Sequence, residues 1–600
     1  MDALLPVKRE RQGTAEAAYY TYSWQGSLKC SLQTLARGVF ASHVASGEAL
    51  FHCIRDMQIR SGFPHPIKLA RHTVHGLALF FDKLLSPADV QIFFTSTLPQ
   101  IARLALNLPI LLQSQSLHLV ADLKAAVAAV DPSPPDTTLL LRLLRTQQAG
   151  MVLLRQELVA SLLACSFLCL FPTEHRREEQ LGRINFDKLF AGVYERGGKK
   201  KNENKLRCLL HYFDRVCNSM PQGTVSFERK VLPKEAINDA IWGSSGAPLC
   251  PITVLQEGCI EDDGRDCLQV DFANRLLGGG ALGDGCVQEE IRFMINPELI
   301  AGMLFMPAMA DNESIEIVGA ERYSTHEGYG PTFCFKGDFH DLTLQDTWGR
   351  RQTRIIAMDA LDLPGENQFC SMPMLRELKK AYCGFLETSS MKGGQVAAVG
   401  GGGGGGQKSS VSQRHKKNQE HLSQAIFEAS IAVALANSVS DLNSRMCTLA
   451  ATESWRSLQP EGSSSQSVDV MEVMAESPDE SPGCGTGTST SMRRIVGIAT
   501  GNWGCGVFGG NLELKSLLQW LAASQAGRPY VLYFSFKNPQ AKRLQEVADW
   551  ILQERWCVGE LWSILLEYGK QSQFHVNLFD WIMPQPGTQL CSSQHYHKAG

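Results

Sequence analysis

Two adjacent glutamates, Glu289 and Glu290, close the stretch GGGALGDGCVQEE at residues 278–290. Neighbouring helical positions point about 100° apart, so the two carboxyls cannot share one task. One can protonate a departing oxygen while the other orients a nearby hydroxyl, and cleavage of a glycosidic bond needs such a division. The proton donor must stay protonated near neutral pH, which takes desolvation or a neighbouring negative charge. A helix N-terminus opposes this, because its dipole favours the ionised form. Asp271, in LQVDFAN just upstream, and a bound diphosphate would supply the opposing charge. The plainer alternative is that two glutamates in a first turn only complement the helix dipole.

The glycines in front of them set the context. CLQVDFA reads as a strand ending at Asp271, and Val287, Ile291, Met294 and Ile295 recur at helical spacing, so VQEEIRFMI opens a helix. A strand, a glycine loop and a helix N-terminus form an anion site, with free N–H groups turned to the ligand. A structural turn is the competing reading. The run fits neither GxGxxG nor GxxxxGK[ST], which excludes the dinucleotide and P-loop fingerprints. A second cluster, ATGNWGCGVFGG at 499–510, likewise follows a β-like stretch (RRIVGIA) and precedes a helix (NLELKSLLQWLAA). Two such units could clamp two phosphates from opposite sides. Trp503 and Phe508 would then either cover a sugar or base or serve packing.

The surrounding elements must hold these loops. From roughly 28 to 220 the apolar residues recur at threes and fours, predicting helices, with a Pro-rich break at 131–136 (DPSPPD). From about 225, short β-rich stretches alternate with helical patterns, which predicts an α/β sheet with helices on its faces. Between 387 and 491 the pattern collapses into seven consecutive glycines at 400–406 and Ser-rich runs, predicting a disordered insertion with one apolar piece at 423–439. The predicted organisation is a tail at 1–27, a helical accessory domain at 28–224, an α/β catalytic domain at 225–386 and 492–600, and the 387–491 insertion.

The chain has 600 residues, 44% hydrophobic and 20% charged, with a net charge of −4. That composition is an ordinary globular one, and the charge provides no global basic field for duplex DNA. Its 18 cysteines form no CxxC pair, so they are read as reduced thiols of a cytosolic or nuclear protein without a zinc site. No secretory signal opens the sequence, and the apolar run 158–172 is too short to span a bilayer and predicts a buried helix. KRER at 8–11 and KKK at 199–201 read as solvated surface, with nuclear import as the alternative.

LGGG, seven residues, then QEE resembles the signature of poly(ADP-ribose) glycohydrolases. VDFAN before it, INPELI and GAERYSTHEGY after it, and ATGNWGCGVFGG downstream resemble that family in order and spacing. The likeness covers most of 160–386 and 492–600, more loosely the helical part, and is nearest to plant-type members. The fold it implies is a macrodomain-like mixed sheet flanked by helices, preceded by an α-helical accessory domain. It implies hydrolysis of the ribose–ribose O-glycosidic bond of poly(ADP-ribose), with release of ADP-ribose and without metal or redox cofactor. Glu290 matches the catalytic acid, and Glu289 the carboxylate on the adjoining ribose hydroxyl, with Asp271, Asn274 and Gln288 shaping the same pocket. Gly278, Gly279 and Gly280, with Gly506, Val507 and Phe508, would contact the diphosphate. Ile260 and Tyr329 would line the adenine side, and Asn502 and Phe536 are further substrate-binding residues. The implied partner is the polymer, free or on modified proteins, met by a monomer in the DNA damage response, in nucleus and/or cytoplasm, without DNA or membrane binding. His326 departs from the aromatic residue of many animal members, and the insertion after Glu387 is unlike theirs. A reader that binds ADP-ribose without cleaving it is the alternative; it would need the phosphate loops but no paired carboxylates.

Overall fold

The computed structural model describes residues 4–12, 19–62, 68–128, 141–195, 199–233, 239–346, 348–387, 495–571 and 576–583. Among these described residues twelve strands form: β1 (Lys8–Gln12), β2 (Tyr19–Ser23), β3 (Gly150–Arg155), β4 (Thr224–Val231), β5 (Ile252–Leu255), β6 (Leu268–Ala273), β7 (Glu313–Val318), β8 (Ser324–Glu327), β9 (Cys334–Asp338), β10 (Arg354–Asp359), β11 (Ile498–Gly501) and β12 (Val531–Phe534). Eight of them build one mixed sheet in the order β3-β4-β7-β10-β6-β11-β12-β5. The run from β10 to β5 is parallel, whereas β3, β4 and β7 pair antiparallel.

Each central strand feeds two cores, because its side chains alternate between faces. In β10, Ile355 and Ala357 join the core shared with the N-terminal helices, and Ile356 and Met358 join the opposite one. The latter is closed by the helices Ser371–Phe385, Leu512–Gln525 and Val558–Tyr568. In β6, Leu268 and Val270 enter this second core, so Gln269, Asp271 and Ala273 fall on the first face. That alternation puts a carboxylate beneath the helix that carries QEE.

Two stretches differ from the reading of the sequence, one from a helix and one from a tail. MVLL at 151–154 forms β3 in the middle of the region predicted helical, because it gains a full antiparallel ladder with β4. A backbone ladder with burial outweighs a short run's helical spacing. Residues of the predicted tail pair as β1 and β2, and Leu4, Leu5, Val7 and Trp24 are buried. KRER thus lies in β1. The apolar run at 158–172 is buried, and its first part belongs to the helix Gln156–Phe167. Among the described residues no helix is long and apolar enough to cross a membrane. The 387–491 insertion, apart from Glu387, lies outside the described residues, as does DPSPPD. Glu387 is held by Arg354 at 3.1 Å and Arg528 at 2.7 Å, which fixes the chain at that point.

Candidate active site

β11 follows β6 only as far as Ala499 opposite Gln269, so the sheet splits beyond that point. A crevice at the carboxyl ends of parallel strands is where open α/β sheets place ligands. Gln288 fills one side of the split. Its amide oxygen accepts from the Phe272 N–H at 2.8 Å and its amide nitrogen donates to the Val270 carbonyl at 3.1 Å. Gln288 thereby extends the ladder of β6 where β11 has left it, and it seats the helix Gln288–Ile295.

The next two side chains turn apart, as the helical period requires. Glu289 accepts the N–H groups of Asn274 at 2.8 Å and Gly278 at 2.7 Å. Glu290 accepts those of Gly280 at 2.9 Å and Val287 at 2.8 Å. Both carboxyls are buried, Glu290 at 7% exposure and Glu289 at 2%. The N–H of Gly279 goes to the Leu276 carbonyl at 3.0 Å. All three glycine N–H groups expected to face a diphosphate are therefore donated within the protein. The loop clips the carboxyls in place.

The fit leaves no room for side chains. A Cβ on Gly279 would stand 2.6 Å from Glu289 Oε2 and 2.8 Å from Glu290 Oε1, and its φ of +47° already disfavours one. A Cβ on Gly285 would stand 2.4 Å from Glu290 Oε1. Lys205 closes the loop from behind. Its Nζ donates to the carbonyls of Gly280 at 3.3 Å, Gly283 at 2.8 Å and Gly285 at 2.6 Å. Burial lowers its pKa to about 8, against the opposing pull of Cys286 and Glu290. Lys201, in the KKK read as solvated surface, donates to the Asp284 carbonyl of the same loop. Sequence reasoning marks neither lysine as a site residue, since contacts across about 80 positions leave no trace in local spacing.

Asp271 lies under this arrangement, 1% exposed, with no hydrogen-bond partner for either carboxyl oxygen. Burial raises its pKa to about 8; Glu290 adds to the rise and Arg292 opposes it. Glu289 is pushed well above the usual carboxylate range, first by burial and then by Asp271 and Glu290. Asp271 and Glu289 therefore hold at least one proton between them at neutral pH. Arg292 is itself tied to Gln269 at 2.7 Å and Asn296 at 2.9 Å, so it neutralises from a fixed position.

A stability consequence follows. Asp271 ionises at about pH 3.9 in the unfolded chain but at about 8 in the folded one. Between those values the folded state binds more protons, so this group's contribution to stability falls as pH rises. Asp271→Asn is expected to gain in melting temperature relative to the parent as pH rises from about 4 to about 8. A difference that stays constant across that range in melting scans would contradict the assignment.

Across the crevice, Tyr329 and Phe536 meet with ring centroids 5.3 Å apart. They are 40% and 58% exposed, uncommon for large aromatics, and so offer a stacking surface. The Gly330 N–H donates to the Cys286 carbonyl at 3.0 Å, and the Tyr329 hydroxyl lies at the backbone of Gln288, which joins this surface to the acid pair. Phe536 and Lys537 both hold positive φ, +53° and +57°, a strained conformation of the kind that collects at ligand sites. Ile260 is buried in a small cluster with Cys267, Ala499 and Phe534. Both ends of the Asn502 amide are engaged, by the Ser535 carbonyl at 2.9 Å and the Tyr533 hydroxyl at 3.0 Å. His326 is mostly buried beside Phe333, with its pKa lowered chiefly by burial.

The second glycine loop sits after β11, beside the first. Trp503 is fully buried, donating from its ring N–H to the Met358 carbonyl at 2.9 Å, so it packs and does not cover a ligand. Lys515, buried, lies 4.6 Å from the centre of that ring and pairs with Glu377. In contrast to the first loop, the N–H groups of Gly506, Val507 and Phe508 have no acceptor among the described residues. Phe508 is half-buried, its carbonyl accepting from the Leu363 N–H at 3.0 Å.

Residues 85–229 match the family model described as poly(ADP-ribose) glycohydrolase, helical domain, and residues 240–543 that described as poly(ADP-ribose) glycohydrolase, macro domain fold. The chain is 40% identical over 575 residues to poly(ADP-ribose) glycohydrolase 1 of Arabidopsis thaliana, covering 94% of each. It is 37% identical over 578 residues to probable poly(ADP-ribose) glycohydrolase 2 of the same plant, covering 94% of this chain and 95% of the relative. Poly(ADP-ribose) glycohydrolase 1 of Caenorhabditis elegans is 38% identical over 194 residues, 30% of this chain and 25% of the relative.

Proposed function

Since the chain belongs to the poly(ADP-ribose) glycohydrolase family, we propose that it hydrolyses ribose–ribose bonds of poly(ADP-ribose) with Glu290 as the proton donor. The carrying observation is that Glu289 and Glu290 are both buried and separately clipped by the glycine loop. A module that only reads ADP-ribose needs no such pair.

The exposed pair Tyr329–Phe536 takes the adenine face, and the free N–H groups of Gly506, Val507 and Phe508 take the diphosphate. The ribose at the scissile bond then reaches the acids. Glu289, fixed by two N–H groups, holds the adjoining hydroxyl. Glu290 gives its proton to the departing ribose oxygen, the C1–O bond breaks, and an oxocarbenium-like centre forms. Water adds to that carbon and its proton returns to the carboxylate, releasing ADP-ribose. Lys205 acts as a positioning residue, since it holds the loop whose N–H groups orient Glu290. The site works on polymer in the nucleus or cytoplasm, in the response to DNA damage, as a monomer. Residues 28–224 serve as the accessory domain to the catalytic part at 225–386 and 492–600.

Incubating the purified chain with labelled poly(ADP-ribose) and separating the products tests this reading. Free ADP-ribose is the expected product. Tight binding of polymer with no shortening would instead favour the reader.

A further inference from the structure

A cleft of about 710 Å³ lies between the segment 173–187 and the junction Asn274–Leu276 that begins the glycine loop. Its walls carry five cations, Lys68, Arg176, Arg177, Arg183 and Arg275, and a single carboxylate, Asp187. Asp187 is occupied by the Ala70 N–H at 2.9 Å and by Arg183 at 3.4 Å. Arg177 makes no ion pair among the described residues, and neither does Lys68. Arg176 is 5% exposed and bonds the carbonyls of Gly182 and Met303 through Nε and Nη2, while its buried Nη1 has no partner. The positive charge of this cleft is therefore not consumed by the protein.

Asn274 belongs to both places. Its side lines the cleft, and its backbone N–H is held by Glu289. The cleft thus begins at a residue that Glu289 itself holds, beside the place where a poly(ADP-ribose) chain would be cut. Each further unit of such a polymer carries a diphosphate. We propose that this cleft is a second subsite, gripping the diphosphate of the polymer unit on the leaving side of the bond. The inference rests on the polymer-hydrolase reading. Exposed arginines and lysines facing phosphates mainly raise affinity and make it salt-dependent, so the cleft favours long polymer over short fragments without altering the chemical step.

The test uses the full chain and two substrates with the same scissile bond. One is long poly(ADP-ribose); the other is ADP-ribose joined to adenosine, which has no phosphate on the leaving side. Lys68→Glu combined with Arg177→Glu changes two exposed residues outside the acid pocket. We expect kcat/KM on long polymer to fall about tenfold, with a weaker salt dependence, and turnover of the adenosine-terminated substrate to stay within about twofold. Equal changes on both substrates, or none on either, would overturn the proposal. Competition by an RNA oligonucleotide that the double variant abolishes, with polymer turnover unaffected, would give the cleft to nucleic acid instead. If the parent protein cleaves neither substrate, the hydrolase reading itself falls, and this subsite with it.

Discussion

Glu290→Gln is expected to lower turnover of poly(ADP-ribose) by about 10²- to 10⁴-fold, the range removed with a general acid. The amide keeps the shape of the side chain but cannot give up a proton. It also cannot accept both N–H groups that the carboxyl now receives, from Gly280 and Val287. One donor is left unpaired, a cost of about 1–3 kcal/mol, so a modest fall in melting temperature accompanies the loss. Binding of free ADP-ribose should survive, because Tyr329, Phe536 and the loop at 506–508 are untouched. Single-turnover rates and calorimetry on the same preparation separate the two effects. Near-parent turnover would remove Glu290 from the mechanism. Glu289→Gln should behave differently, losing ligand affinity as well, since Glu289 anchors both Asn274 and Gly278.

Gly285→Ala is expected to cost activity on a similar scale although it adds one methyl group. That methyl would lie 2.4 Å from Glu290 Oε1, 2.6 Å from its Cδ and 2.8 Å from the Gly280 Cα. Backbone cannot yield cheaply, so the carboxyl must move, and a shift of about 1 Å costs roughly 10²-fold. Gly283→Ala, two residues away, is the control. Its Cβ would meet Lys188 Cδ at 3.4 Å, an ordinary contact with a flexible chain, and near-parent kcat is expected. Measured side by side, equal losses in the two variants would mean that loop mobility, not the space around Glu290, sets the rate.

Much of this site is legible in the sequence because its parts are local. The strand–glycine–helix order, the 100° divergence of Glu289 and Glu290, and Asp271 on the strand before them all follow from period and proximity. Which acceptor a glycine N–H finds is not a local property. Residues 278–280 read as a phosphate cradle, yet their N–H groups hold the Glu289 and Glu290 carboxyls and a turn, and the free donors lie on the second loop. Lys205 is hidden for the same reason, since its role depends on how the helix Lys199–Asn218 docks. β3 escapes because MVLL is too short for its period to distinguish strand from helix, and its partner β4 lies about 70 residues on. The left-handed backbone at Phe536 and Lys537 has no signal in residue type, as neither is glycine or asparagine.

The proton donated by Glu290 is the central claim, and a substrate that needs no proton tests it most directly. An aryl glycoside of ADP-ribose, whose phenolate leaves unassisted, should lose far less of its cleavage rate in Glu290→Gln than the ribose–ribose bond does. If Glu290→Gln is equally crippled on both substrates, Glu290 is doing something other than protonating the leaving oxygen.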